Sequence, residues 1–277
     1  MRIWHQSLTV LGDVPGYQDA LQRHINTIVE ADTEVVLHGL LPGTFPTEFP
    51  LAELHYPALA SFHYNQLLNA AITAEQQGFD AFAMCFLAGP LLREIRAAVN
   101  IPVVNYGEGA FHLASFYGKN FGVMRFTENM REYTQEFVDA WGFSGQCVGI
   151  AACGLSYREV FGAFGDHQKA VRQFEDATRA FIKASGAQVI VPGEMPLNVL
   201  LAMNGVSRVD DVPIMDGLSV TLMLAEMMAK MHKRGLFHSR HGRSNARPPV
   251  ERLLEVAKQY GLERMYTAPA ISLKEKK

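Results

Sequence analysis

Gly78-Phe-Asp-Ala-Phe-Ala-Met-Cys85 is the stretch that decides the fold, because Gly186-Ala-Gln-Val-Ile-Val-Pro-Gly-Glu194 repeats its plan. In both stretches a glycine precedes a short apolar run, and a chemically distinctive side chain follows that run. Ile101-Pro-Val-Val-Asn105 has a similar counterpart in Val212-Pro-Ile-Met-Asp216. Both pairs are separated by roughly 110 residues, which indicates an internal repeat. The chain is therefore predicted to contain two related halves.

Short apolar runs alternate with longer amphipathic stretches along the whole chain, a pattern typical of βαβ units and parallel sheets. The predicted strands cover residues 2–5, 34–38, 80–84, 102–105, 121–124, 188–191 and 213–215. The predicted helices cover residues 17–30, 59–77, 91–99, 128–141, 168–185 and 250–260, with one more beginning near residue 218. We expect an α/β fold of two Rossmann-like half-domains related by a pseudo-two-fold axis. Residues 1–115 with 216–277 would form the first half, and residues 116–215 the second.

The two repeated strands place Cys85 and Glu194 at corresponding strand ends. Ligands of open parallel sheets bind beyond the carboxyl ends of the strands. We therefore expect both side chains to face one cleft between the halves. Residues 40–57 contain four prolines and are predicted to form a long loop that closes over this cleft. Residues 238–249 are predicted to be a surface loop.

Composition excludes several classes of protein. Apolar residues make up 48% of the chain and charged residues 19%, which suits a folded globular protein. A net charge of −3 gives no reason to expect a nucleic-acid partner. The sequence shows no secretory signal pattern and no apolar run long enough to span a membrane.

The motifs and cysteines favour chemistry by side chains in a reducing compartment. Three cysteines, an odd number without metal-binding spacing, suggest a cytoplasmic protein. No dinucleotide-binding, phosphate-binding or zinc-protease motif is present, and the histidines lack the spacing of a metal site. We expect a small-molecule substrate and neither a metal nor an organic cofactor.

Four short motifs resemble the hydantoin racemase branch of the aspartate/glutamate/hydantoin racemase superfamily. They are Ala83-Met-Cys-Phe-Leu-Ala-Gly-Pro90, Ile101-Pro-Val-Val-Asn-Tyr-Gly-Glu-Gly-Ala110, Tyr117-Gly-Lys-Asn-Phe-Gly-Val-Met124 and Pro213-Ile-Met-Asp-Gly-Leu218. The resemblance implies an enzyme of two half-domains, without cofactor, that assembles into a homo-oligomer. In typical members two cysteines act on opposite faces of the substrate carbon, one removing and one supplying a proton.

The sequence departs from that family pattern at three places. Cys85 matches the first catalytic cysteine, but Glu194 stands at the second position. His5-Gln6-Ser7 replaces the usual Asn-Pro-Asn-like turn after the first strand, and Ala88 precedes Gly89-Pro90 where an acidic residue is common. The fold inference is unaffected, whereas a symmetric two-thiol reaction is not expected.

Each candidate residue also has an ordinary structural explanation. A cysteine after an apolar strand is usually a buried hydrophobe, but the strand end and the family match favour a reactive thiol at Cys85, with a pKa lowered by the helix that begins near Leu91. Glu194 would either cap the next helix or act as a general acid/base with a pKa raised by a dry cleft. His5, Gln6, Ser7, Phe86 and Thr127 are predicted to contact substrate, rather than merely covering strand ends. Arg125 is predicted to lie on the surface, Asp216 to cap a helix and Glu108 to orient a loop.

Three hypotheses for function follow. The first is a racemase or isomerase that moves a proton at a carbon α to a carbonyl of a small carboxylate or cyclic ureide, with Cys85 and Glu194 as the acid/base pair. The second is a hydrolase or a decarboxylase-type lyase with Cys85 as nucleophile and Glu194 activating water. The third is a non-catalytic, two-lobed binding protein, and the thiol/carboxylate pair makes it the weakest.

Overall fold

The structure is a computed structural model that describes residues 1–47 and 51–262. Its strands are β1 (Arg2–Gln6), β2 (Glu34–His38), β3 (Ala81–Met84), β4 (Val103–Asn105), β5 (Phe121–Arg125), β6 (Cys147–Ala152), β7 (Ile190–Pro192), β8 (Arg208–Val209) and β9 (Val212–Pro213). Its helices are α1 (Pro15–Ile28), α2 (Leu51–Leu54), α3 (Pro57–Gln76), α4 (Leu92–Ala98), α5 (Tyr106–Tyr117), α6 (Arg131–Ala140), α7 (Tyr157–Gly162), α8 (Gln168–Ser185), α9 (Met195–Met203), α10 (Gly217–Lys233) and α11 (Val250–Gln259).

Two parallel sheets with matching strand orders form the framework. The first sheet has the order β2-β1-β3-β4, and the second has the order β6-β5-β7. A parallel bridge between Ile190 and Ile214 occupies the position in the second sheet that β4 holds in the first. Cys85 follows β3 and Glu194 follows β7, so the internal repeat of the sequence corresponds to a repeat of topology. The predicted α/β class with parallel sheets is confirmed.

Apolar side chains cover both faces of each sheet, as a parallel sheet requires. Every residue of β3 is buried, which explains why its sequence is a continuous apolar run rather than an alternating one. One core packs both sheets against α1, α5 and α10, through Tyr17, Phe111 and Leu222. Separate cores lie beneath the other helices, around Trp4 in the first half and Phe174 in the second.

Several elements differ from the predictions. Residues 213–215 do not form one strand, because Pro213 ends the short antiparallel hairpin of β8 and β9 before Ile214 bridges β7. The predicted loop 40–57 contains α2, and α3 already begins at Pro57. Residues 48–50 of that loop and residues 263–277 at the C-terminal end lie outside the described residues. The sequence patterns also missed α5, α7, α9 and β6.

The two parts of the predicted first half do pack together. Helix α10 contacts α1, α5, β3 and β4, which places it beside the first sheet although it follows the second along the chain. The exact division at residues 115 and 215 stays a prediction. Among the described residues, no helix combines the length and the apolar character needed to cross a bilayer.

Candidate active site

A cleft lies where the carboxyl ends of β1 and β3 approach those of β5 and β7. Together with the open solvent at its mouth, it contains about 670 Å³ of space not filled by protein atoms. The first half contributes Ser7, Cys85 and Phe86 to its wall, and the second half contributes Arg125 and Glu194. The structure therefore brings together the thiol and the carboxylate that the sequence placed at corresponding strand ends.

Cys85 is held at the floor of this cleft by the strands beside it. Its backbone N–H donates to the Gln6 carbonyl over 2.9 Å, and its thiol lies 3.6 Å from the Ala83 carbonyl oxygen. The residue is 1% exposed, and this burial raises the thiol pKa well above its ordinary value. The expectation of a lowered pKa is therefore wrong, because burial disfavours the thiolate more than the backbone hydrogen bond at Gln6 favours it.

Glu194 forms a buried ion pair that the sequence did not reveal. Its Oε1 lies 2.5 Å from Nη2 of Arg125, and its Oε2 accepts a hydrogen bond from the Phe126 backbone N–H over 3.1 Å. Burial raises the pKa of Glu194, and the Arg125 guanidinium and the Phe126 N–H oppose that rise. Glu194 is the N-cap residue of α9, but its side chain makes no capping hydrogen bond and turns to Arg125 instead.

Arg125 is buried, which corrects the prediction that it lies on the surface. Its Nη1 also donates to the hydroxyl of Thr134 on α6. A Cβ atom on Gly193 would stand only 2.5 Å from the Arg125 Cγ, so the glycine before Glu194 leaves the space that the arginine fills. The signal available in the sequence was the Gly193-Glu194 pair, but its arginine partner lies nearly 70 residues away.

Of His5, Gln6 and Ser7, only Ser7 lines the cleft. The Gln6 amide accepts from Trp4 Nε1 over 2.9 Å and donates to the Ser7 carbonyl over 2.9 Å. His5 is fully buried, and its ring nitrogens have no hydrogen-bond partner among the described residues. The predicted substrate contacts of His5 and Gln6 therefore need correction, because both belong to a strand whose two faces are covered.

The remaining predicted contacts divide in the same way. Phe86 lines the cleft directly after Cys85. Thr127 does not line it, and its buried hydroxyl finds no hydrogen-bond partner within the described chain. Asp216 caps α10 as predicted, accepting from the Ser219 backbone N–H over 3.3 Å. Glu108 pairs with Arg96, an orienting contact near α4 rather than one in the cleft.

Four tyrosines that the sequence analysis did not single out line the cleft, namely Tyr17, Tyr64, Tyr133 and Tyr157. The hydroxyl groups of Tyr64 on α3 and Tyr133 on α6 lie 3.0 Å apart, a hydrogen bond that joins the two halves beside the cleft. Burial raises the pKa of Tyr17 strongly, and the nearby Cys85 adds to the rise. Helical position alone gave no signal for these phenols, because an aromatic residue on a helix is usually part of a core.

The wall of the cleft carries little net charge. Arg125 is the one cation among the described residues of the wall, and Glu194 neutralises it. Within the described chain no group of three or more side chains is arranged to hold a metal ion. A thiol on one side and a carboxylate on the other can move protons at an atom placed between them.

Comparison with known proteins agrees with this architecture. The profile of the Asp/Glu/Hydantoin racemase family matches residues 46–225. A hydantoin racemase from Pseudomonas sp. (strain NS671) is 22% identical over 167 residues, which span 58% of this chain and 62% of that protein. Allantoin racemase from Klebsiella pneumoniae superposes with a TM-score of 0.73 at 21% identity, covering 90% of this chain and 94% of the other. Allantoin racemase from Pseudomonas fluorescens gives 0.64 at 20% identity, covering 90% and 97%.

The fold and cleft define a two-lobed α/β protein with facing acid/base side chains. The chain belongs to the Asp/Glu/hydantoin racemase family, whose profile spans well over half of it. Similarity to the two allantoin racemases establishes the shared fold.

Proposed function

We propose that this chain is a racemase or isomerase that moves a proton at a carbon α to a carbonyl of a small substrate. The observation that carries the proposal is that Cys85 and Glu194 reach one cleft from equivalent strand ends of two related sheets. Inversion at carbon requires a base on one face and an acid on the other, and two facing lobes supply that arrangement.

The two groups start the reaction in different protonation states. Burial raises the pKa of the Cys85 thiol, so we assign it the neutral form. Burial also raises the pKa of Glu194, but its ion pair with Arg125 and its hydrogen bond from the Phe126 N–H lead us to assign it the carboxylate form. Glu194 therefore takes the α-proton from one face, and the Cys85 thiol delivers its own proton to the other. The opposite enantiomer reacts with the enzyme form that this turnover leaves, a protonated Glu194 and a Cys85 thiolate.

The charge balance of the cleft favours a neutral substrate. Because Arg125 is already paired with Glu194, a free carboxylate would bind beside a carboxylate without a cation of its own. A cyclic ureide, such as a hydantoin or allantoin, carries an acidic α-carbon and no full charge. Tyrosine hydroxyls and Ser7 offer hydrogen bonds to its carbonyl and N–H groups.

The test is exchange of the α-hydrogen in D₂O. The purified protein is incubated with each enantiomer of a 5-substituted hydantoin, allantoin, aspartate and glutamate, and ¹H NMR follows the α-proton while polarimetry follows inversion. We expect exchange together with inversion for a ureide, and slower or no reaction with the amino dicarboxylates. Absence of exchange from every compound would contradict the proposal.

A second candidate keeps the fold and changes the reaction. Cys85 is the single cysteine in the described wall of the cleft, which suits nucleophilic attack on a carbonyl by a hydrolase or a decarboxylase-type lyase. This candidate predicts a covalent adduct on Cys85, detected by mass spectrometry after rapid acid quench. Glu194→Gln would then allow the adduct to accumulate, whereas proton transfer produces no adduct in either protein.

A further inference from the structure

Helices α5 and α10 pack side by side and share an outward apolar surface whose grooves have no lining residue in common with the cleft. We call it the α5–α10 face and define it by Leu113, Phe116, Tyr117, Met223, Met227, Met231, Leu236 and Phe237. Phe116 is 83% exposed, and Tyr117, Leu236 and Phe237 are each more than 60% exposed. Scattered apolar residues on a surface are ordinary, but a contiguous group of this kind marks an interaction site.

The sequence of α10 shows why this face is not part of the core. Leu218, Leu222, Ala225 and Ala229 form its buried stripe against the sheets. Met223, Met227 and Met231 follow one another at intervals of four residues and form a second stripe, with exposed fractions of 54%, 52% and 39%. A helix that packs on one side only usually carries polar residues on the other side. The second apolar stripe therefore indicates a second packing partner.

The size of the face matches one side of a stable protein–protein contact. If each large apolar side chain has a surface of about 200 Å², the exposed parts of the residues in the α5–α10 face add up to about 800 Å². This is the area that each partner buries in a standard interface. This exceeds the largest apolar patch of most monomers, which is roughly 300–600 Å².

The shape of the face favours a second copy of the same chain. Tyr117, Met223 and Met227 line a groove of about 980 Å³ between the helices, and Met227 and Phe237 line an adjoining groove of about 640 Å³. Phe116 is strongly exposed and follows Leu113 on α5 by three residues, the spacing that puts two side chains on one side of a helix. In a two-fold contact each surface meets its own copy, so rings and grooves that share one face can fill each other.

Two lysines on α10 beside the face are neutralised within the chain. Lys230 is paired with Glu30 over 2.7 Å and Lys233 with Asp80 over 2.8 Å, both within the chain. Two copies would therefore not bring these lysines together as uncompensated cations. We propose that the α5–α10 face is the contact between two copies of this chain, related by a two-fold axis.

The experiment measures molar mass by light scattering after size exclusion, over a hundredfold range of protein concentration. We expect the natural protein at twice the 30.8 kDa of the chain. Met227→Glu places a charge where the two grooves meet, once in each copy, and should raise the dissociation constant about 100-fold or more. Phe62→Glu is the matched control, because Phe62 is 69% exposed on α3, outside the face, and its variant should keep the double mass.

Circular dichroism establishes that each variant is folded before its mass is interpreted. A larger assembly whose mass falls with Met227→Glu and not with Phe62→Glu also supports the face as a contact between copies. A natural protein that stays at 30.8 kDa throughout overturns the proposal, and so does an unchanged mass for folded Met227→Glu. If the monomer binds an apolar dye only after deletion of residues 263–277, that segment covers the face instead, and the proposal is wrong.

Discussion

At the scale of single residues, the Arg125–Glu194 ion pair determines the distribution of charge in the cleft. Both side chains are less than 10% exposed, so neither charge has water to replace its partner. Burial raises the pKa of Glu194, and the Arg125 guanidinium opposes that rise. The ionisation of Glu194 thus depends on Arg125, a residue that the sequence analysis assigned to the surface.

Removing one member of this pair should be costly. We expect Arg125→Met to lower the free energy of unfolding by about 3–5 kcal/mol at pH 7, because Glu194 is left buried without a counter-charge. Urea unfolding measures the change. The double variant Arg125→Met with Glu194→Leu should recover most of the loss, since it removes both charges. A loss below about 1 kcal/mol in the single variant would show that the pair is not buried in solution.

Two buried histidines should make the protein sensitive to acid. Burial is the first cause that lowers the pKa of His5 to about 3 and of His38 to about 4, against an ordinary 6.5. Below pH 6.5 these histidines bind more protons in the unfolded chain than in the folded one. Their contribution to the free energy of unfolding is therefore fully present above that pH and is lost as the pH falls toward 4. Between pH 6.5 and 4, the free energy of unfolding of the His5→Leu variant should change with pH less steeply than that of the natural protein, by about 1.4 kcal/mol per pH unit.

The control for this prediction is His167→Gln, a change at an exposed histidine that should leave the slope as it was. An identical slope for His5→Leu and the natural protein would contradict the burial of His5 as a neutral ring.

At the scale of elements, the sequence predicted those strands and helices whose burial leaves a regular pattern of apolar residues. The strands at residues 80–84 and 188–191 were visible because buried parallel strands are continuous apolar runs. Helix α9 was missed because nearly all of its residues are buried, which removes the helical period from its sequence. Strand β6 was missed because it lies at the edge of its sheet and contains Gly149.

The same limit applies to the candidate site. Position at a strand end, together with the family resemblance, was enough to predict that Cys85 and Glu194 reach one cleft, because topology fixes where strand ends lie. Whether His5 and Gln6 reach the cleft depends on which neighbouring elements cover the end of β1. The four cleft tyrosines come from helices, and no local sequence pattern gives the orientation of those helices. Contacts between distant segments are the part that a single sequence does not show.

The first turn of α10 should tolerate no side chain at Gly217. A Cβ atom there would lie 1.8 Å from the ring of Tyr106, which is fully buried and whose hydroxyl donates to the Pro192 carbonyl beside Gly193. We expect Gly217→Ala to lower the free energy of unfolding by about 1–3 kcal/mol and to reduce activity, because overpacking displaces the Tyr106 ring. Thermal unfolding and the exchange assay measure the two effects.

Gly162→Ala is the matched control for this change. Gly162 ends α7 with no atom near its missing Cβ, so alanine should be neutral or slightly stabilising there. Equal stability of the two alanine variants would contradict the close approach of α10 to Tyr106.

At the scale of the whole molecule, the hydrogen bond between Tyr64 and Tyr133 ties one half to the other. Each hydroxyl group is supplied by a different half, and burial raises the pKa of Tyr64. We expect Tyr64→Phe and Tyr133→Phe each to lower the free energy of unfolding by about 1 kcal/mol. The double variant should cost little more than either single one, because both remove the same bond. Fully additive losses in urea unfolding would show that the two hydroxyls do not interact.

The account as a whole depends on Cys85 and Glu194 acting on opposite faces of one carbon. Its most direct test measures α-hydrogen exchange in D₂O with each enantiomer of one ureide substrate, for Cys85→Ser and Glu194→Gln variants shown to be folded. The account predicts that neither variant inverts substrate, and that each retains exchange with a different enantiomer. Loss of exchange for the same enantiomer in both variants, or full inversion in either, would contradict it.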